Sequence, residues 1–150
     1  MIQEIGPGDN GFENGAYTIP FGAFPDYLKR LEDRASGKGL KPEHVPMTTY
    51  WLMINDRPAG ISKLRHYLNE NLLKHGGHIG YCIRPSEQGK GYGNIILKLT
   101  CIEARKMGID ELLLTCNEDN TASRRVIEKN GGILERLDEQ GCYYWISLKA

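Results

Sequence analysis

The densest chemistry in the sequence lies at residues 84–93, Arg-Pro-Ser-Glu-Gln-Gly-Lys-Gly-Tyr-Gly, which run directly into the helix-like stretch Asn94–Gly108. Glycines at 89, 91 and 93 let a backbone come close to an anion, and the first N–H groups of a helix have no partner inside it. Lys90 adds a mobile positive charge. The combination has the makings of a phosphate cradle, and two common phosphate motifs fail against it. A nucleotide P-loop needs Ser or Thr after its lysine, whereas Lys90 is followed by Gly91 and Tyr92. A dinucleotide fingerprint needs GxGxxG and an acidic partner after the next strand, and Gly89-x-Gly91-x-Gly93 has the wrong spacing. What remains is Gln88-x-x-Gly91-x-Gly93.

A second set of polar residues lies at 120–132, where Asn120 stands at a helix N-cap position and Ser123 follows in the first turn. A third gathers before residue 84: His66, Glu70, His75 and His78. Imidazoles titrate near neutrality and suit proton removal, so Glu70 and His78 are the candidate bases, against the plainer reading of solvated loop residues. Tyr50 and Trp51 can line a pocket or fill a core. Cys82, Cys101, Cys116 and Cys142 form no CxxC pair and no metal-ligand spacing, which predicts free thiols packed as small hydrophobes and no metal site.

These residues need elements to hold them. Residues 1–47 hold much glycine and proline and one convincing helix, capped by Asp26 with Tyr27, Leu28, Leu31 and Ala35 on one face and ended by Ser36–Gly39. Thr48–Ile54 and Ala59–Arg65 are predicted strands around an Asn55–Pro58 turn, and His78–Arg84 is a third, stopped by Pro85. Tyr67–Gly77 is a connection with room for one helical turn. After the glycine loop, Tyr92, Ile95, Leu99 and Ile102 recur at helical spacing and predict the buried face of a helix, with Lys98, Glu103, Arg105 and Lys106 outside. Glu111–Cys116 reads as a buried strand, Thr121–Lys129 as a helix ended by Gly131-Gly132, and Ile133–Leu137 and Tyr143–Leu148 as a closing pair of strands. The fold class is α/β in a single domain: an irregular N-terminal region, 1–47, and a core, 48–148.

In this strand–loop–helix setting the chain resembles the GNAT superfamily of N-acetyltransferases, from about Thr48 to Leu148. The acetyl-coenzyme A loop of that superfamily follows Gln/Arg-x-x-Gly-x-Gly/Ala, matched by Gln88, Gly91 and Gly93, with Gly89 and Lys90 also typical. The resemblance implies a mixed, mostly antiparallel sheet flanked by helices, and acetyl-CoA as cosubstrate. It also implies coenzyme contacts from Gln88 to Gly93, Tyr92 included, and a main-chain N–H within Cys82–Arg84, centred on Ile83, to polarise the thioester carbonyl. Asn120 and Ser123 are similar to the Asn-x-x-Ser branch, which includes enzymes acetylating ribosomal-protein N-termini. Many members place a tyrosine acid seven residues after that asparagine, where this chain has Ile127. Ser123 is then the candidate for contact with the sulfur or for proton relay, with Tyr143 or Tyr144 as alternatives.

The expected activity is acetyl transfer from acetyl-CoA to a small-molecule or peptide amine, by direct attack in a ternary complex. Ile127 and the reduced N-terminal region favour the alternative, a non-catalytic acyl-coenzyme A binding domain. With 19 basic and 19 acidic residues the net charge is zero, which gives no electrostatic case for nucleic-acid or membrane partners. The N-terminus lacks the basic and apolar segments of a signal peptide, so a cytoplasmic location is expected; a homodimer is left open.

Overall fold

The structure is a computed structural model that describes residues 1–149. The chain folds as α1 (Ile2–Ile5), α2 (Phe24–Ser36), β1 (Met47–Ile54), β2 (Arg57–Arg65), α3 (Glu70–Lys74), β3 (Ile79–Ile83), α4 (Tyr92–Lys106), β4 (Glu111–Cys116), α5 (Thr121–Lys129), β5 (Ile133–Asp138) and β6 (Gly141–Ser147), with single 3-10 turns at Phe21–Ala23 and Pro85–Glu87. Two antiparallel three-stranded sheets result, ordered β1-β2-β3 and β4-β6-β5. This is the mixed, mostly antiparallel α/β architecture expected from the sequence, with no strand before Met47 among the described residues.

Local chemistry accounts for the connections. Asn55 and Asp56 both take positive φ, so the β1–β2 hairpin closes in two residues with the hand that matches strand twist. Asn69 caps α3 by accepting from the Leu72 N–H at 2.9 Å, and Asn120 caps α5 by accepting from the Ser123 N–H at 3.2 Å. Helix α2 starts at Phe24, just before Pro25, so Asp26 lies in its first turn instead of capping it, and Leu28 on its expected buried face is exposed.

The face of α4 also differs from expectation. Ile96, Leu97, Thr100 and Ala104 are buried, while Ile95, Leu99 and Ile102 are exposed at about 40–50%. Gly93 explains the rotation. A Cβ built on it would lie 3.5 Å from Val126 and 4.0 Å from Tyr81, so the helix presses its glycine side against α5 and β3. Residues 96, 97, 100 and 104 continue that stripe at helical spacing. The helix carries two apolar stripes, and the one that docks bears Gly93 and Thr100, whose hydroxyl donates to Ser62 Oγ at 2.8 Å.

The two sheets meet along β3 and β4 at one point only, the bridge Gly77–Leu114. Below it the sheets share a core of Leu64, Leu97, Leu112, Leu114, Tyr144 and Ile146. Beyond it β3 and β4 share no ladder and leave an opening between the sheets. A Cβ on Gly77, which has φ +61°, would stand 2.3 Å from the Leu113 carbonyl oxygen, so the close approach at the junction requires glycine. The N-terminal segment is docked loop: Phe12, Asn14 and Ala16 are buried, and the Asn14 amide donates to the carbonyls of Ile2 and Gly6 at 2.8 and 2.7 Å.

Candidate functional site

The junction is fastened by residues 76–78. The His78 N–H donates to the Leu113 carbonyl at 2.7 Å, and the Leu113 N–H donates to His78 Nδ1 at 2.9 Å. The Gly76 N–H adds a bond to Thr115 Oγ1 at 3.1 Å. His78 is 6% exposed, and burial, with Arg65 nearby, pushes its pKa down to about 4. The imidazole is therefore neutral, with its proton on Nε2 and its Nδ1 lone pair committed to Leu113. That corrects the reading of His78 as a base: it is a clasp. Glu70, the other base candidate, sits exposed at the start of α3 and does not line the cleft described next.

Above the clasp the opening continues as a cleft of about 1230 Å³ that runs from the glycine loop, between the sheets, to the N-terminal segment. At one end Gly89 and Gly91 hold φ near +80°, and a Cβ on either would meet no atom within 4 Å. From Gly89 through Asn94 no main-chain N–H donates to another described residue, so the loop and the first turn of α4 present a run of open donors. Gln88, by contrast, is turned back, its amide donating to the Ile83 carbonyl at 3.1 Å and tying loop to strand. Lys90 pairs with Glu87 at 2.8 Å on the exposed rim. Tyr92 lines the cleft and packs on the cluster of Leu52, Ile83 and Ile96.

Register decides which groups of β3 face the opening. The Arg84 N–H donates to the Ala59 carbonyl and the Arg65 N–H to the His78 carbonyl, so even-numbered residues of β3 spend their main-chain groups on β2. Tyr81 and Ile83 direct theirs toward the opening. Of the three residues Cys82–Arg84, Ile83 is the one with a free main-chain donor on the cleft side. Cys82 lines the cleft by its side chain, whose thiol burial pushes up. Arg84 is turned away and does not line the cleft: its guanidinium pairs with Glu4, which anchors the N-terminus, and donates to the Pro58 carbonyl at 3.1 Å.

In the middle of the cleft the Tyr81 hydroxyl lies 3.2 Å from Ser123 Oγ. Burial raises the Tyr81 phenol to about 12, against a smaller opposing effect of the Ser123 hydrogen bond. Tyr81 is the residue that sequence reasoning missed. Its strand register, opposite Ser62, puts it on the α4 side, but its partner lies 42 positions away. The other tyrosines are accounted for elsewhere. Tyr143 donates to the Lys74 carbonyl at 2.6 Å, and Tyr144 donates to Glu128 at 2.8 Å while accepting from Arg124 at 3.0 Å. Ile127 is buried at 1% exposure.

The coenzyme fits this chemistry. Open main-chain donors at a helix start, glycines with free space above them and a long cleft are what a pyrophosphate followed by an extended arm requires. Among the described residues no group of His, Cys, Asp and Glu could hold a metal ion, and no helix is long and apolar enough to cross a membrane.

The comparisons agree with the geometry. The family model for the acetyltransferase (GNAT) domain matches residues 25–133. Among solved structures, the chain resembles the yncA protein of Salmonella typhimurium, solved with its cofactor acetyl-CoA (TM-score 0.64, 18% identity, 83% of this chain and 73% of that one). It also resembles an N-acetyltransferase from Staphylococcus aureus Mu50 (0.64, 15%, 89% and 81%). A third is the Campylobacter jejuni N-acetyltransferase PseH in complex with acetyl coenzyme A (0.62, 10%, 90% and 86%). A search of curated proteins returns no match. The family match spans well over half of the chain, and the protein belongs to the GNAT acetyltransferases: it is an acetyl-CoA-dependent acetyltransferase.

Proposed function

We propose that the protein transfers acetyl from acetyl-CoA to a primary amine by direct attack in a ternary complex. The observation that carries this reading is the continuity of the cleft from the glycine loop, past Tyr81 and Ser123, to a separate far end lined by Phe12, Lys63 and Arg65. Two ligands can occupy such a cleft together and meet between the sheets.

Acetyl-CoA supplies the activated acyl group and a thiol leaving group. Donors from Gly89 to Asn94 hold its phosphates, and the open N–H of Ile83 polarises the carbonyl. Ser123 and Tyr81 act at the sulfur. A phenol at about 12, and a serine hydroxyl higher still, do not surrender a proton outright to a thiolate whose acid has a pKa near ~8.5. The pair therefore stabilises developing charge by hydrogen bonding, and the attacking amine, which sheds a proton in any case, is the better proton source. The Asn120–Ser123 pattern supports sulfur handling in the manner of the Asn-x-x-Ser branch. Of the residues considered as bases, His75 is the one on the cleft wall, and it takes the first proton, from the entering ammonium, while the second, released after attack, goes to the departing sulfur.

Initial-rate kinetics with varied acetyl-CoA and amine test this: intersecting lines are expected, with no acetylated protein by mass spectrometry. The rival reading, a binding domain without turnover, is the result if acetyl-CoA stabilises the fold while no amine in a panel releases free thiol.

A further inference from the structure

The far end of the cleft has an unusual charge arrangement. Lys63 and Arg65 project from the same face of β2, and Arg34 reaches in from α2; all three line the cleft and are at least partly buried. Among the described residues none has a carboxylate within 4 Å, and the ion pairs lie elsewhere. Each donates to main-chain carbonyls: Lys63 to Glu13, Arg65 to Gly77 at 3.1 Å and Gly76 at 3.4 Å, Arg34 to Val45 at 3.0 Å. Lys63 also stands 4.8 Å from the centroid of the Phe12 ring. Carbonyls and a ring face satisfy donors but leave the charges uncompensated, which is costly for half-buried cations.

The acidic residues of this end, Asp9, Glu13 and Glu43, are all exposed, so the floor is cationic and the rim anionic. At Lys63, burial lowers the pKa most, followed by repulsion from Arg65, which outranks attraction from Glu13. At Arg65 the order is burial, then Arg34, then Glu13.

We propose that the acceptor is a small primary amine that also carries an anionic group, a carboxylate or a phosphate, and that Lys63, Arg65 and Arg34 bind this group. Position fits the size. Lys63 is paired with Gly80 on β3, the strand that borders the opening, three residues or ~10 Å along the strand from Ile83. The extended lysine side chain and a short amino acid together span that distance, with the ammonium of the amino acid toward the rim acids on entering. The proposal rests on the amine-transfer reading above.

Two measurements separate the proposal from that reading. Thiol release is followed with a panel of α- and β-amino acids, their carboxamides, aminoalkyl phosphonates, and neutral peptides. The anionic members are expected to exceed the carboxamides roughly 10- to 100-fold in kcat/KM. Lys63→Met and Arg65→Met should each abolish the preference while leaving the KM for acetyl-CoA unchanged. Better turnover of phosphonates than of carboxylates names phosphate as the natural group, and the reverse names carboxylate. Independently, calorimetric titration of the CoA-loaded protein with N-acetyl amino acids should show binding that their amides, and the Lys63→Met protein, lack. Equal use of carboxamides or neutral peptides, or no anion-dependent titration, overturns the anion site. Anion-dependent titration without thiol release from any amine overturns amine transfer and leaves the anion site standing.

Discussion

On the proposed assignment, the two ends of the cleft recognise their ligands with different parts of the chain. The glycine-loop end offers open main-chain N–H groups from six consecutive residues, Gly89 to Asn94, and its side chains are mostly absent, turned back or paired on the rim. The far end offers side chains that converge from positions 34, 63 and 65 on two elements. A backbone cradle demands local conformation and hence glycine at fixed spacing. A side-chain floor demands only that the fold bring distant residues together. The first is rigid in what it admits; the second can be redesigned residue by residue without touching the donor site.

The contrast can be broken from either end. The largest effect is expected from Gly91→Val, which places a branched side chain in the cradle at φ +81°. Acetyl-CoA affinity should fall at least ~100-fold. Because a Cβ there meets no neighbour within 4 Å, the loss of stability should stay near the ~1–2 kcal/mol of left-handed strain. Calorimetry and thermal unfolding on the same sample separate the two. Next come Ser123→Ala and Tyr81→Phe, each expected to lower kcat about 10- to 100-fold with little change in the KM for acetyl-CoA. The double variant should lose little more than the worse single one, as befits two groups acting as one donor.

His78→Ala tests the clasp between the sheets. It leaves the Leu113 N–H without a partner, and a stability loss of about 1–3 kcal/mol is expected in denaturant titration. The pH dependence has a defined sign. His78 holds a folded pKa near 4, against ~6.5 unfolded, so between these values the unfolded chain binds the extra proton. The stability contribution of the neutral clasp is full above the unfolded value and declines as pH falls toward 4. His78→Gln should remove that slope. The smallest effect belongs to Lys90→Ala: its ion pair with Glu87 is exposed and contributes nothing measurable to stability, and coenzyme affinity should drop only a few-fold.

The same contrast explains what could be read from the sequence. The cradle was legible because its function constrains neighbouring residues: Gln88, Gly91 and Gly93 carry the motif within one turn of chain. Strand β4 and helix α5 were legible from an apolar run and an Asn cap, again local signals. His78 was visible as a histidine, but its commitment to Leu113 depends on how two sheets meet. Tyr81 was hidden as one aromatic among strand residues. The inward face of α4 was misjudged because the helix has two apolar stripes, and the contacts that favour one, Gly93 against Val126 and Tyr81 and Thr100 on Ser62, come from distant elements. Arg84 looked like part of the coenzyme strand until Glu4, eighty positions earlier, claimed its guanidinium.

The most direct test of the account is a backbone amide map of the protein titrated with acetyl-CoA, by two-dimensional 15N NMR. The account predicts that the largest shifts fall on Gly89 to Asn94 and on Ile83 and Tyr81, while Cys82 and Arg84, bonded to β2, move little. Shifts concentrated elsewhere, with the amides of Gly89–Asn94 unmoved at saturation, would contradict it.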